Sequence, residues 1–332
     1  MSIFCFCYLL TLSDSPNALP IHTGIYAQLN PHCVATSASG QVCVLNRQEQ
    51  TLTVYDREGT VLSQFGGHGQ GPGEFNWAFE VFWQNARIYV WDLEEQAITT
   101  FTSTGQCVAR SLAPIRGIDM ARSQDGWVYG AWHTALNSEP DQAVSLYLSG
   151  EQFNQPRIIA QVKGNGYGAT FIADGDHSIY TPVQWVPMLA TSPDGKEIYL
   201  LDQEHLWVKV FDNKGTLLRE WREAMPRLEF NPDWADIRLK EVKAMFPERR
   251  YQTNYYATFP VVRSFRVDPA GNWVFRLWTR EPHLTEVVKV NKPNGESVES
   301  NLTWSDYLRW YGLVDGKALV GHLDDSDEMV LE

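Results

Sequence analysis

The chain has 332 residues, 44% of them hydrophobic and 13% aromatic, with a formal charge of −13 and an isoelectric point near 5.1. That is apolar material enough for one large domain or two ordinary ones, and the aromatic load favours strands. The acidity, with no basic run anywhere, sets the chain against a phosphate backbone and excludes nucleic acid as a partner.

Residues 1–18 read as a leader. Ile3–Leu12 is an apolar run of signal-peptide length, too short to span a bilayer, and small or polar residues follow from Ser13 to Ala18. The basic n-region is missing, so a truncated or non-native start is the alternative to export. No other segment is long and apolar enough to be a transmembrane span. The expected location is periplasmic, extracellular or lipid-anchored, with the cytoplasm as the alternative.

From residue 19 to 332 the chain reads as one repeating unit. "PIHTGIYAQLN" (20–30) is a strand without a partner of its own. A turn ending in Gly and followed by a hydrophobic strand then recurs as "SASGQVCVLN" (37–46), "SQDGWVYGAW" (123–132), "SPDGKEIYLLD" (192–202), "DPAGNWVFRLW" (268–278) and "LVDGKALVGHL" (313–323). A further copy, "WQNARIYVWD" (83–92), puts Gln84-Asn85 at the turn. A second phrase, strand–polar turn with Gly–strand, follows as "VYDREGTVLSQF" (54–65), "TFTSTGQCVARSL" (100–112), "VFDNKGTLLREW" (210–221) and "KVNKPNGESVES" (289–300). Asp and Asn start turns by bonding their own backbone, and Gly supplies the positive φ. Two hairpins in succession make a four-stranded antiparallel unit. Six units of about 40–45 residues, two of them lengthened, are a β-propeller signature.

The first lengthening holds "KGNGYGATFIADGDHSIYTPVQW" (163–185), within which "ADGDHSIYTP" is an excursion or, alternatively, a seventh repeat. The second holds "NPDWADIRLKEVKAMFP" (231–247), expected to be a short helix. Asn231 is its N-cap, Pro232 fits the first turn, Ala235, Leu239, Val242 and Phe246 share a face, and Pro247 ends it. After Gly316 there is no room for a fourth strand, so the strand in 20–30 is expected to complete the last blade and close the ring.

Between the first two units stands "FGGHGQGPGEF" (65–75). A P-loop would need Lys-Ser/Thr after its last Gly, and a dinucleotide fingerprint would need to open a helix. This run does neither. Gly67, Gly69, Gly71, Pro72, Gly73, Glu74 and Phe75 read as a structural connector from an outer strand back towards the axis. The phrase resembles G-x-G-x-G-P-G-E-F of NHL-type six-bladed propellers. The chain as a whole resembles a bacterial family of secreted or lipid-anchored six-bladed propellers of unassigned function, over about residues 20–330. "VYDREGTVLSQFG" before the phrase and "FPVVRSFRVDPAGNWVFRLW" (259–278) after the helical insertion carry that likeness. The resemblance implies the fold and not an activity, since relatives of this type include binding modules, scaffolds and a few lyases.

Propeller ligand sites lie where inner strands converge. The inner strands are expected at 32–37, 77–83, 115–121, 186–191, 261–267 and 307–313. Their charged members are Glu80, Arg116, Asp119, Arg263 and Arg309. These form either a ring of salt bridges or a pocket for an anionic or polar ligand with arginine forks, and Trp77 and Trp185 are candidate aromatic walls. The eight histidines fall in different phrases. Lactonase-like propellers hold a metal with Glu, Asn and Asp from several blades; Glu80 and Asp119 could mimic two of these, but no inner-strand Asn matches. No cofactor is expected, with Ca or Zn as the alternative. No nucleophile elbow is present. Of the five cysteines, Cys5 and Cys7 lie in the leader, and Cys33, Cys43 and Cys107 fit buried thiols, with a Cys33–Cys43 bridge as the alternative. The expectation is a monomeric, non-catalytic binding propeller of the cell envelope taking a small molecule, carbohydrate or protein. The alternative is a divalent-metal hydrolase or lyase working in the channel.

Overall fold

The computed structural model describes residues 26–29, 31–113, 119–132, 143–163, 167–173, 179–184, 187–202, 205–233, 236, 239–240, 243, 251–255, 257–280, 285–303, 309–314, 317–323 and 329–331. Six four-stranded antiparallel sheets are arranged as blades. β1 (Tyr26–Leu29) stands apart in sequence. Blade one is β2 (Pro31–Thr36), β3 (Val42–Asn46), β4 (Thr51–Tyr55) and β5 (Val61–Gly66). Blade two is β6 (Ala78–Gln84), β7 (Arg87–Asp92), β8 (Ala97–Thr102) and β9 (Cys107–Leu112). Blade three is β10 (Asp119–Arg122), β11 (Gly126–Trp132), β12 (Ala143–Gly150) and β13 (Arg157–Lys163). After β14 (Tyr167–Ala173) and β15 (Ile179–Gln184) comes blade four, with β16 (Met188–Thr191), β17 (Glu197–Asp202), β18 (Leu206–Asp212) and β19 (Leu217–Glu223). β20 (Tyr251–Tyr255) precedes blade five, which is β21 (Val262–Val267), β22 (Trp273–Leu277), β23 (Thr285–Asn291) and β24 (Ser297–Thr303). Blade six is β25 (Arg309–Val314), β26 (Lys317–Leu323) and β27 (Met329–Leu331), and β1 completes it by pairing antiparallel with β27, Tyr26 opposite Leu331.

The hairpins follow from the turn chemistry. In "DREGT" the Asp56 carboxylate accepts from the backbone N–H of Glu58 and of Thr60, at 3.0 and 2.7 Å. Asp56 N–H donates to the Thr60 carbonyl at 2.9 Å, and Gly59 takes the left-handed position at φ 85°. Asp212 and Asp268 repeat the same bonds in their copies. The copy at 83–92 solves the problem differently. Asn85 and Ala86 both have positive φ, 50° and 57°, between the paired Gln84 and Arg87. That is the two-residue turn whose twist suits a hairpin, with alanine where glycine is preferred.

The glycine-rich connector is compact. Gly67 N–H donates to the Gln50 carbonyl at 2.8 Å, Phe75 N–H to the Gly67 carbonyl at 2.9 Å, and Gly71 N–H to the Glu74 carboxylate at 2.9 Å. A side chain at Gly66, φ 95°, would place its Cβ 2.8 Å from the Gln50 carbonyl oxygen. The loop delivers Phe75, fully buried, between Leu52 of blade one and Phe101 of blade two.

The core is correspondingly divided into layers between neighbouring blades. Cys43, Leu45 and Val54 meet Val81, Ile88 and Val90 between blades one and two. Tyr89 and Trp91 meet Trp127 and Tyr129 between two and three. Val128 and Leu146 meet Ile198 and Leu200 between three and four, and Leu201 and Val208 meet Phe265 and Phe275 between four and five. Val44 and Tyr55 meet Leu319 where blade six returns to blade one. Each layer buries two apolar sheet faces at once, which is why a blade is stable only beside another.

The two lengthened intervals find each other. β14 pairs with β15 and also with β20, Ala169 opposite Tyr255 and Ala173 opposite Tyr251. This three-stranded sheet is not a seventh blade, because β10 and β16 touch directly and leave no place for one in the ring. Pro232, Asp233, Asp236, Leu239, Lys240 and Lys243 are helical, Asn231 Oδ1 accepts from the Asp233 N–H at 3.0 Å, and Leu239 is buried. Ala235, Val242, Phe246 and Pro247 lie outside the described residues. Cys33, Cys43 and Cys107 are free thiols, and Cys5 and Cys7 lie outside the described residues.

Because Ala86 is exposed and left-handed, Ala86→Gly is expected to stabilise the protein. Removing a left-handed penalty of about 1–2 kcal/mol outweighs an entropic loss of about 0.4–1 kcal/mol. Thermal unfolding of the two proteins measures it; a lower Tm in the variant would show that packing, not turn chemistry, holds this residue.

Candidate functional site

Among the inner strands, β25 touches β2, β2 touches β6, β6 touches β10, β10 touches β16 and β16 touches β21. Residues of β2, β6, β10, β16 and β21, with Leu319 of β26, line a cavity of about 500 Å³ that runs from the level of Glu80 to the turns that end these strands. Its wall mixes apolar groups such as Val81 and Leu189 with Thr36, Ser264, Arg266 and Arg276.

Charge gathers in this wall at Glu80 and Arg266 and just behind it. Arg266 on β21 reaches across the ring to β6, where its Nη2 donates to Glu80 Oε1 at 2.9 Å. Asp119, the first residue of β10, accepts from the Leu189 N–H of the next blade at 2.7 Å and from the Met120 N–H at 2.8 Å. Cys33 on β2 completes the group, its Sγ–H directed at the Phe79 carbonyl at 3.7 Å. Burial pushes the Glu80 carboxyl up to about 7 against the opposing pull of Arg266, and the Asp119 charge adds to the rise. Burial likewise raises Asp119, again opposed by Arg266, and lifts the Cys33 thiol to about 12, with Glu80 adding to it. Arg266 is raised by Glu80 first and then by Asp119. Its side chain is 61% open and that of Glu80 only 13%. The arginine's openness is towards the channel, while protein encloses the pair closely enough for burial to govern the carboxylate.

Of the residues expected at the axis from sequence, Glu80 and Asp119 are brought together. Arg263 is not part of the cluster. Its guanidinium lies 5.3 Å from the centre of the Trp278 ring, and Arg266 takes the axial place instead. The reason is a break in register between Val262 and Ser264, which offsets the strand start from the pairing of Phe265 onwards. Trp77 sits ahead of β6 rather than in the cavity wall; it is 41% exposed and Arg47 stacks over it at 4.6 Å. Arg309 opens β25, with its side chain outside the described residues, and Arg116 and Trp185 fall outside them altogether. Arg266 and Cys33 are not among the axial residues the sequence points to; Cys33 reads there only as a buried thiol. In "RSFRV" (263–267) two arginines three apart cannot share one face of a regular strand, and only the bulge decides between them.

Among the described residues, no group of three His, Cys, Asp or Glu side chains is placed to hold a metal ion, and no helix is long and apolar enough to cross a membrane.

Six blades around an axial cavity define a β-propeller. Residues 30–162 match the model of the family DUF5128, described as a 6-bladed beta-propeller. Among solved structures the chain is similar to a protein of Bacteroides fragilis described as exported, at 13% identity and a TM-score of 0.50, over 97% of this chain and 92% of that one. It is also similar to a member of the DUF4221 family from Bacteroides vulgatus, at 9% identity and TM-score 0.49, over 97% and 96% of the two chains. A third is the calcium-binding protein regucalcin of Agrobacterium tumefaciens, at 12% identity and TM-score 0.43, over 96% and 95%. At such identities likeness speaks for the fold alone. No curated protein matches the chain.

The raised Glu80 carboxyl makes stability depend on pH. Between its ordinary value of 4.5 and about 7 the folded protein holds a proton that the unfolded chain has released. The stabilisation is therefore complete below the lower value and lost as pH rises through the upper one; Asp119, raised as well, acts in the same sense. Tm is expected to fall by several degrees from pH 5 to pH 8, and Glu80→Gln to flatten that slope. An unchanged slope in the variant would refute the assignment.

Proposed function

We propose that this protein is a non-catalytic binding propeller of the cell envelope whose central channel takes a small polar molecule or carbohydrate. The observation that carries the reading is the Glu80–Arg266 pair set in the wall of an open cavity, with the Asp119 charge beside it. Charged groups in a protein interior are costly, and apolar replacements of buried ion pairs are often neutral or stabilising. A ring that needed only closure could fill its axis with Val and Leu, as the layers between blades do. Charge retained on the axis, with one guanidinium open to the cavity, fits a ligand that supplies the missing partners. Envelope location is supported by the apolar run Ile3–Leu12 and the small residues after it.

Two measurements test this. In a thermal-shift screen of small polar compounds and saccharides, a ligand of the channel should lose at least about tenfold in affinity on Arg266→Ala, a change of roughly 1.4 kcal/mol. Arg263→Ala, altered over Trp278, should leave it within a factor of two. Equal affinities in wild type and Arg266→Ala would remove the channel from consideration. For location, intact-mass analysis of protein recovered from cells expressing the full gene should show loss of about the first eighteen residues; a mature chain that retains them would count against export.

A further inference from the structure

The reading of the channel as a binding site leaves its ligand chemistry open, and the wall of the cavity narrows it. Arg266 has five N–H donors, of which Glu80 engages one nitrogen, and its only other bond among the described residues is a long 3.4 Å contact to the neighbouring Phe265 carbonyl. The side chain is 61% open, so the remaining edge of the fork faces space. The other charges in the wall tilt the same way. Asp268 spends both its oxygens on its own turn, on the N–H groups of Ala270 and Asn272 and on the Asn272 amide. Arg122 and Arg276 line the cavity as cations, the former tied to Glu151. Asp119, just behind the wall, has its oxygens on the N–H groups of Leu189 and Met120. Among the described residues Glu80 is the one carboxylate of the wall whose hydrogen-bond partner is a cation, and that cation is the open one.

We propose, on the strength of the channel reading, that the ligand is a small carboxylate which takes the Arg266 fork and displaces Glu80, with one proton passing from solvent to the Glu80 carboxyl. A planar carboxylate matches the guanidinium in a two-point bond that Glu80 does not make. Once the ligand is in place, three carboxylates would surround one guanidinium, and they cannot all stay ionised in an enclosed site. Glu80 is faced by Cys33 from β2, Asp119 from β10 and Arg266 from β21 among the described residues. Cys33 is a neutral thiol, and Asp119 keeps its backbone donors. Glu80, losing its bond to Arg266, is the group that gains the proton, and burial has already brought its carboxyl to about 7. No covalent bond changes: one anion and one proton enter together.

The test uses matched acids and amides on the full-length protein: glucuronate with glucuronamide, benzoate with benzamide, and hexanoate with hexanamide, by calorimetry at pH 6, 7 and 8. At least one acid is expected to bind about tenfold or more tightly than its amide at pH 6, and to weaken by up to about tenfold per unit as pH rises above 7. Arg266→Ala should abolish the preference for the acid, and Arg266→Lys, which keeps charge without the fork, should restore it only in part. Glu80→Gln should bind the acid with a flat pH profile; unfolding curves confirm that each variant folds. The proposal is overturned if no acid binds at any attainable concentration, if every acid binds no better than its amide, or if the pH profile survives Glu80→Gln. An amide that binds and is lost in Arg266→Ala, with its acid no better, overturns the carboxylate while leaving the channel as a site. Probes that bind Arg266→Ala as tightly as wild type overturn both.

Discussion

A blade's hydrogen-bond ladder ends at its own edges, and everything else in this molecule follows from how the blades are then joined. Neighbouring inner strands share no ladder, yet each presents backbone groups to the axis that need partners. The chain meets this with side chains reaching from one blade to the backbone of the next. Asp119 takes the Leu189 N–H at 2.7 Å, Thr191 Oγ donates to the Arg122 carbonyl at 2.7 Å, and Gln50 Oε1 accepts the Ala78 N–H at 2.6 Å. These polar links lie inside apolar layers that supply the bulk of the cohesion, so each is sheltered from water and correspondingly hard to give up.

The axial carboxylates belong to this joinery as well as to the cavity. Asp119 is at once a strut between blades three and four and a charge felt by Glu80 and Arg266. A single arm from blade five then spans to blade two. Changes in protonation at the axis are therefore mechanical events in the ring, transmitted through contacts that bridge non-adjacent blades. The same blending of roles explains why a catalytic constellation is hard to extract from such a site, where each acid already has a structural duty.

Most of the ring could be read from the chain because its turns are written in local chemistry. Asp56, Asp212 and Asp268 with their glycines fix hairpins whatever packs around them. The copy "SQDGW" shows the limit. Gly126 there is already inside β11, and a Cβ would lie 1.9 Å from the Ser149 carbonyl oxygen, so its glycine answers to close packing rather than to a left-handed turn. The pairing of β14 with β20 was hidden for another reason: it joins segments about eighty residues apart, and no local pattern announces a partner at that distance. At the axis, Glu80 and Asp119 were legible as charges on strands too apolar to want them. Arg266 was not, because the irregular register between Val262 and Ser264 lies in the backbone and leaves no mark on composition. Cys33 looked like any small buried hydrophobe, and only the approach of blade two makes it a neighbour of Glu80.

The seam where β1 meets β27 couples the start of the chain to its end, Tyr26 beside Leu331. The entropy of closing so long a loop grows only logarithmically, by about 0.6 kcal/mol for each doubling, so the distance is a small thermodynamic burden. Its weight is kinetic. During synthesis β1 emerges ahead of all six blades and has nothing to pair with until β27 follows. The ring can therefore lock only after β27 has left the ribosome. A pull applied at the amino terminus of the finished protein would load this same strand and peel the circle open at its last-made joint.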